Sequence, residues 1–194
     1  MNRRRFLAAL PLGFATGCLG ASPFAPNPHP KRVFVAQVDP LPEEFEFRID
    51  AEVRTETVTD DHPATLVLTA TNGGDARPVS VATGKCSPFN RSRGRSDGGG
   101  LWLYRAGAEP GERPRNRWTR GGDGVRTHPA YGCAMREWAA GETRTYEYGV
   151  WDDERTDGYY EPGWYRWRLP VRVGTGEDER EAAWFLKLRV VDAE

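Results

Sequence analysis

The sequence predicts an all-β chain folded as an antiparallel β-sandwich, and three observations lead there. Apolar and charged side chains alternate with a period of two along several segments, while no long stretch holds a 3.6-residue period. Glycine and proline are abundant, 22 and 15 of 194 residues, and many of them stand between the alternating segments as turn signals. Hydrophobic content is 38% with 11% aromatics, modest for a globular chain but too high for a fully disordered one. The length suits one domain with a tail. A formal charge of -1 argues against a general nucleic-acid binder, and no apolar run is long enough for a spanning helix.

The strands follow in order. Phe45, Phe47, Ile49, Ala51 and Val53 alternate with Glu46, Arg48, Asp50, Glu52 and Arg54, giving one apolar face and one charged ladder. Residues 64–71, rich in Thr, Leu and Val, form the next strand. The turn Asn72-Gly73-Gly74-Asp75 offers positive-φ residues and predicts a hairpin into a strand over 77–83. A short strand follows at 101–105. Ala140-Gly141-Glu142 marks a turn before a strand at 143–150, and Glu161-Pro162-Gly163 marks another before 164–173. In that strand Tyr165, Trp167, Leu169, Val171 and Val173 alternate with Arg166, Arg168 and Arg172, and Pro170 predicts a kink or a change of partner. Residues 175–181 read as a polar hairpin loop. In the last strand Trp184, Leu186, Leu188 and Val190 face one way, and Phe185, Lys187 and Arg189 the other. About seven strands with Gly/Pro turns match an immunoglobulin-like antiparallel β-sandwich over residues 45–194, with a long loop insert at 84–136.

Residues 1–18 read as an export signal. Arg3, Arg4 and Arg5 precede a short, mostly apolar run, and Arg3, Arg4, Phe6 and Leu7 fit the twin-arginine pattern R-R-x-F-L. Ala15-Thr16-Gly17-Cys18 has the form of a lipobox with Cys18 as the lipidated residue, although Ala15 stands where Leu is usual. Two lipid chains on such an anchor would hold a soluble domain stably at the outer face of the cell membrane. Cleavage there removes three arginines and no acid, leaving 24 basic against 28 acidic residues. Residues 19–44, with Pro23, Pro26, Pro28, Pro30, Pro40 and Pro42, read as an extended tether. Residues 33–38 could add a short edge strand to the domain, and Lys31-Arg32 reads as a solvated pair. Twin arginine, lipobox and the following GASPFAPNPHP together resemble the exported lipoproteins of halophilic archaea.

Within the domain, T-A-T-N-G-G-D-A-R-P-V-S-V, then A-A-G-E-T ahead of a strand, then E-P-G-W-Y-R resemble BsuPI-type domains. The resemblance covers roughly residues 45–190 and implies an immunoglobulin-like fold. It also implies an alternative function, proteinase inhibition, although the insert departs from the family's pattern.

That insert carries the strongest charge contrast in the chain. Residues 85–136 hold eleven Lys/Arg against four Asp/Glu, whereas residues 142–161 hold seven acids against two arginines. One reading has the basic and acidic segments solvated or attracting each other within the fold. The other makes Arg113, Arg115, Arg117, Trp118 and Arg120 a binding surface for an acidic surface polymer, glycan or partner protein. Nucleic acid is not an expected partner. Cys86 and Cys133 remain after the lipidation site, and an exported chain favours a disulfide between them. Their separation of 47 positions would give about 4 kcal/mol on the loop-closure model. Two free thiols, or a metal site with His128, are the alternatives, although no C-x-x-C is present. Asn90-Arg91-Ser92 is a glycosylation sequon.

No catalytic constellation emerges. His29, His62 and His128 are the only histidines, and no G-x-S-x-G, H-E-x-x-H or P-loop occurs. Asp152, Asp153, Glu154 and Asp157 read as a solvated acidic turn rather than a calcium loop. No catalytic residue, metal site or cofactor is therefore expected. The expected function is a cell-surface, lipid-anchored and non-catalytic binding or interaction module.

Overall fold

The computed structural model describes residues 30–81, 88–89, 94–105, 117–119, 135–153 and 155–193. Among the described residues, ten strands form two antiparallel sheets that face each other as an immunoglobulin-like sandwich. The six-stranded sheet contains β1 (Lys31–Asp39), β3 (Thr57–Val58), β5 (Arg77–Ser80), β7 (Arg136–Trp138), β9 (Gly163–Val173) and β10 (Arg180–Asp192), in the order β3-β1-β10-β9-β5-β7. The four-stranded sheet contains β2 (Phe47–Thr55), β4 (Ala64–Asn72), β6 (Leu101–Arg105) and β8 (Thr143–Asp152), in the order β2-β4-β8-β6. Among the described residues no helix is long and apolar enough to cross a membrane.

Alternation explains the layers. Trp167, Leu169, Val171, Trp184, Leu186, Leu188 and Val190 all point between the sheets and are buried. The facing side chains are Ile49, Leu66, Leu68, Tyr148 and Val150. Trp184 joins the layers, its indole N–H donating to the Ile49 carbonyl at 3.2 Å. Burial of three complete indoles in one core gives a large apolar stabilisation.

Several expectations change. The segment after β4 is not a hairpin: β4 and β5 lie in different sheets. Buried Asn72 causes the crossing. Its amide donates to the carbonyls of Asp75 (2.8 Å) and Ala139 (3.0 Å), and its oxygen accepts from the Arg77 guanidinium (3.0 Å). Arg77 in turn donates to the Phe45 and Glu46 carbonyls, so the turn is pinned to both layers. Phe45, expected in a strand, instead closes a 3-10 turn over Glu43–Phe45, followed by Glu46 at φ 41°. The strand expected over 77–83 is assigned only as far as Ser80.

Another change concerns the tether. The sandwich begins at Lys31, because β1 is a nine-residue strand paired along β10. Lys31 is 7% exposed and bonds to Asp192 at 2.5 Å, and Arg32 pairs with Glu56, so neither is a free solvated cation. Pro170 leaves β9 unbroken against β10, while β5 pairs only with Arg172 and Val173 on its other edge.

Candidate functional site: a basic, aromatic sheet face

The outward positions of β9, β10 and β1 come together as a grid. The short β9–β10 connection, with a 3-10 turn over Gly176–Asp178, sets the register of that pair. Trp164 lies opposite Arg189, Arg166 opposite Lys187, and Arg168 opposite Phe185. On the other flank of β10, Arg189 faces Phe34, Lys187 faces Gln37 and Phe185 faces Asp39. A bulge between Val35 and Gln37 restores the parity needed for that third column. The rows are therefore Trp164-Arg189-Phe34, Arg166-Lys187-Gln37 and Arg168-Phe185-Asp39, about 7 Å apart along the strands and about 5 Å across them.

Four cations share this grid with one acid. Several cations elsewhere among the described residues have carboxylate partners: Arg54 with Glu147, Arg77 with Glu46, Arg95 with Asp153 and Arg144 with Glu142. Among the described residues no carboxylate pairs with Arg166, Arg168, Lys187 or Arg189. Their partners are rings and an amide. The Arg166 guanidinium lies 3.9 Å from the Phe185 centroid and that of Arg189 lies 5.1 Å from the Trp164 ring. Lys187 donates to Gln37 at 3.1 Å, and Gln37 donates to Asp39 at 2.6 Å. Trp164 is 62% exposed, the one large hydrophobic so exposed among the described residues. Guanidinium groups spread on rings keep their outer N–H donors free for planar anions such as carboxylate, phosphate or sulfate.

Described residues of the basic insert and of the acidic turn make a second cluster, in which the two segments bind each other. Arg117 is exposed over the Tyr159 ring at 4.9 Å. Trp118 packs edge-on against Trp151 at 5.0 Å and donates its indole N–H to Thr59 at 2.6 Å. The Trp118 carbonyl accepts from Asp152 N–H at 2.8 Å. Trp118 is thus half-buried and occupied by its own fold. Asp152 and Asp153 are buried, 3% and 1% exposed, which corrects the expectation of a solvated turn. Asp152 accepts from Tyr160 N–H at 2.8 Å, and Asp153 from the Arg95 side chain at 2.5 Å and from Arg155 N–H at 3.2 Å. Attraction between the basic and acidic segments is what these residues show.

The two acids titrate in opposite directions. Burial pushes the Asp152 carboxyl up to about 6, and the Tyr160 N–H and Arg117 only partly offset it. Burial also pushes Asp153 up, but its bonds from Arg95 and Arg155 outweigh that and hold it below the ordinary carboxylate range. A raised folded-state pKa means that the fold binds the proton more tightly than the unfolded chain. Asp152 should therefore reduce stability as pH rises from about 4 to 6, and the loss should persist above 6. Asp152→Asn keeps the acceptor for Tyr160 and removes the charge. We expect it to stabilise the fold by about 2 kcal/mol at pH 7 and by little at pH 4, measured by urea unfolding at both pH values. Equal effects at the two pH values would refute the assignment.

A cavity of about 200 Å³ lies between Gly98, Gly99, Gly100, Asp152, Thr156, Asp157, Glu161 and Tyr165. Among the described residues no group of three or more His, Cys, Asp or Glu is arranged to hold a metal ion. Arg3, Arg4, Phe6, Leu7, Cys18, Cys86, Cys133, Asn90, Arg113, Arg115, Arg120 and His128 lie outside the described residues. The grid itself was not singled out from the sequence, although a signal for it existed. Alternation already put Arg166 and Arg168 on one face of β9, and Lys187 and Arg189 on one face of β10. The observed register, Val173 opposite Arg180, sets Arg166 against Lys187 and Trp164 against Arg189, whereas a loop centred on 175–181 would set Arg166 against Val190. No family model, curated protein or solved structure matches this chain.

Proposed function

We propose that this chain is a surface-tethered, non-catalytic binding module whose binding face is the outer side of β9, β10 and β1. The single observation behind this reading is the gathering of Arg166, Arg168, Lys187 and Arg189, without carboxylate partners among the described residues, around exposed Trp164. Such a surface attracts anions through charge and holds them through donors and ring contact. The reading keeps the acidic surface ligand expected from the sequence and moves its site from the insert to the sheet. Export through Arg3 and Arg4 and anchoring through Cys18 belong to the same proposal.

The test uses the full chain carrying Cys18→Ser, so that lipid does not confuse the measurement, with a sulfated polysaccharide as the probe. Arg166→Glu with Lys187→Glu is expected to weaken binding about 30-fold or more at low salt, as several charge contacts reverse. A neutral polysaccharide should not bind. Equal binding by the double variant would reject the face, and stoichiometric inhibition of a secreted protease by the same preparation would favour the inhibitor reading.

A further inference from the structure

We infer that the anionic surface met by this face is the headgroup layer of the membrane that carries the chain. The inference rests on the anchored, anion-binding reading above and names its partner. Three features of the grid favour a membrane over a soluble polymer.

The first is position. The tether joins the sheet at Lys31, and three residues later Phe34 lies in the row that holds Arg189 and Trp164. Thirteen positions separate Cys18 from Lys31. Even fully extended they span about 45 Å, so an anchor at Cys18 keeps the aromatic end of the face within reach of the bilayer. A tether of that length supplies an effective concentration in the range of millimolar, which makes even weak contacts count.

The second is the order of the chemistry. The row nearest the tether is aromatic, Trp164 and Phe34 flanking Arg189, and the rows beyond it carry Arg166, Lys187 and Arg168. Trp favours the polar-apolar boundary of a bilayer, where its ring and its N–H are both accommodated. Basic side chains beside it meet lipid phosphates, each adding roughly fivefold to partitioning on an anionic surface.

The third is shape. The depression on this face has a volume of about 240 Å³, lined by Gln37, Asp39, Arg166, Phe185, Leu186 and Lys187. That is smaller than an ordinary ligand cleft. Cations spread over three strands suit a plane of many phosphates better than one chain in one groove.

Sedimentation with vesicles tests this, again on the full chain with Cys18→Ser, comparing mixed phosphatidylglycerol and phosphatidylcholine with phosphatidylcholine alone. We expect binding to the anionic vesicles to fall about 20-fold or more in Lys187→Glu/Arg189→Glu and several-fold in Trp164→Ala. Lys187→Gln/Arg189→Gln should give an intermediate loss, and unchanged thermal melting shows that each variant still folds. Binding that persists equally in all variants, or that ignores vesicle charge, would assign it to the leader and overturn the inference. Binding to sulfated polysaccharide without binding to vesicles would also overturn it while leaving the anion-binding reading intact. Loss of both ligands in the wild-type chain would overturn both.

Discussion

Replacing Trp184 with alanine should cost about 4 kcal/mol, a large part of the stability of a domain of this size. Its side chain is completely buried on β10 and packs beside Phe89, with ring centroids 6.1 Å apart. The indole N–H also bonds to the Ile49 carbonyl in the opposite sheet, so truncation opens a cavity and leaves a buried acceptor without its donor. Trp184→Phe separates the two losses: it restores most of the apolar volume and should cost about 2 kcal/mol, chiefly for the orphaned carbonyl and the residual space. Urea unfolding followed by far-ultraviolet dichroism gives both values. Trp164→Ala is the internal control, since a 62% exposed ring should change stability by less than about 0.5 kcal/mol. Equal costs for the two alanine variants would mean that β10 does not present Trp184 to the core.

The contrast between Trp164 and Trp184 also marks what could be read before folding. Period-two alternation assigns Trp184, Leu186 and Leu188 to one face of a strand, and the fold buries all three. Alternation says nothing about which sheet a strand joins. Asn72-Gly73-Gly74-Asp75 has hairpin chemistry, yet the Asn72 side chain binds both its own turn at Asp75 and the distant backbone of Ala139, where the chain crosses the sandwich. Ala139 becomes a neighbour only through long-range packing. The same limit hid the basic, aromatic face. Arg166 and Arg168 read as outward on β9, and Lys187 and Arg189 as outward on β10. Their union needs only the register of one hairpin, but Phe34 and Gln37 arrive from a strand about 150 residues away in sequence. In the insert, Arg113, Arg115 and Arg120 lie outside the described residues, while Trp118 and Arg95 spend donors on Thr59 and Asp153, as the reading of mutual attraction between the basic and acidic segments expects.

Asp153→Ala should destabilise the fold by about 3 kcal/mol at pH 7, because it strips a buried carboxylate from several donors at once. Arg95 and the Arg155 N–H lose their acceptor. Arg95 keeps 35% of its side chain exposed and can rehydrate, which holds the cost to the lower part of the range for broken buried pairs. The damage should be local in its first effect. Arg95 begins the loop that Ser96 closes onto Leu101 and that Asp97 ties to the Arg166 carbonyl at 2.7 Å. Faster amide exchange at Ser96, Asp97 and Leu101 should therefore accompany the loss. The pH dependence gives a sharper check. Asp153 is held below the ordinary carboxylate pKa, so its stabilisation is present above about pH 4 and disappears as pH falls through the folded-state value. Asp152, raised to about 6, has the opposite sign and weakens the fold between about pH 4 and 6. Together the adjacent acids contribute a stability maximum near pH 4. Asp153→Asn should remove its acid limb and Asp152→Asn its neutral limb, and the two single variants compared by urea unfolding from pH 3 to 8 isolate the limbs from every other titrating group. Parallel pH profiles for the two variants would show that the carboxylates do not occupy the two environments described.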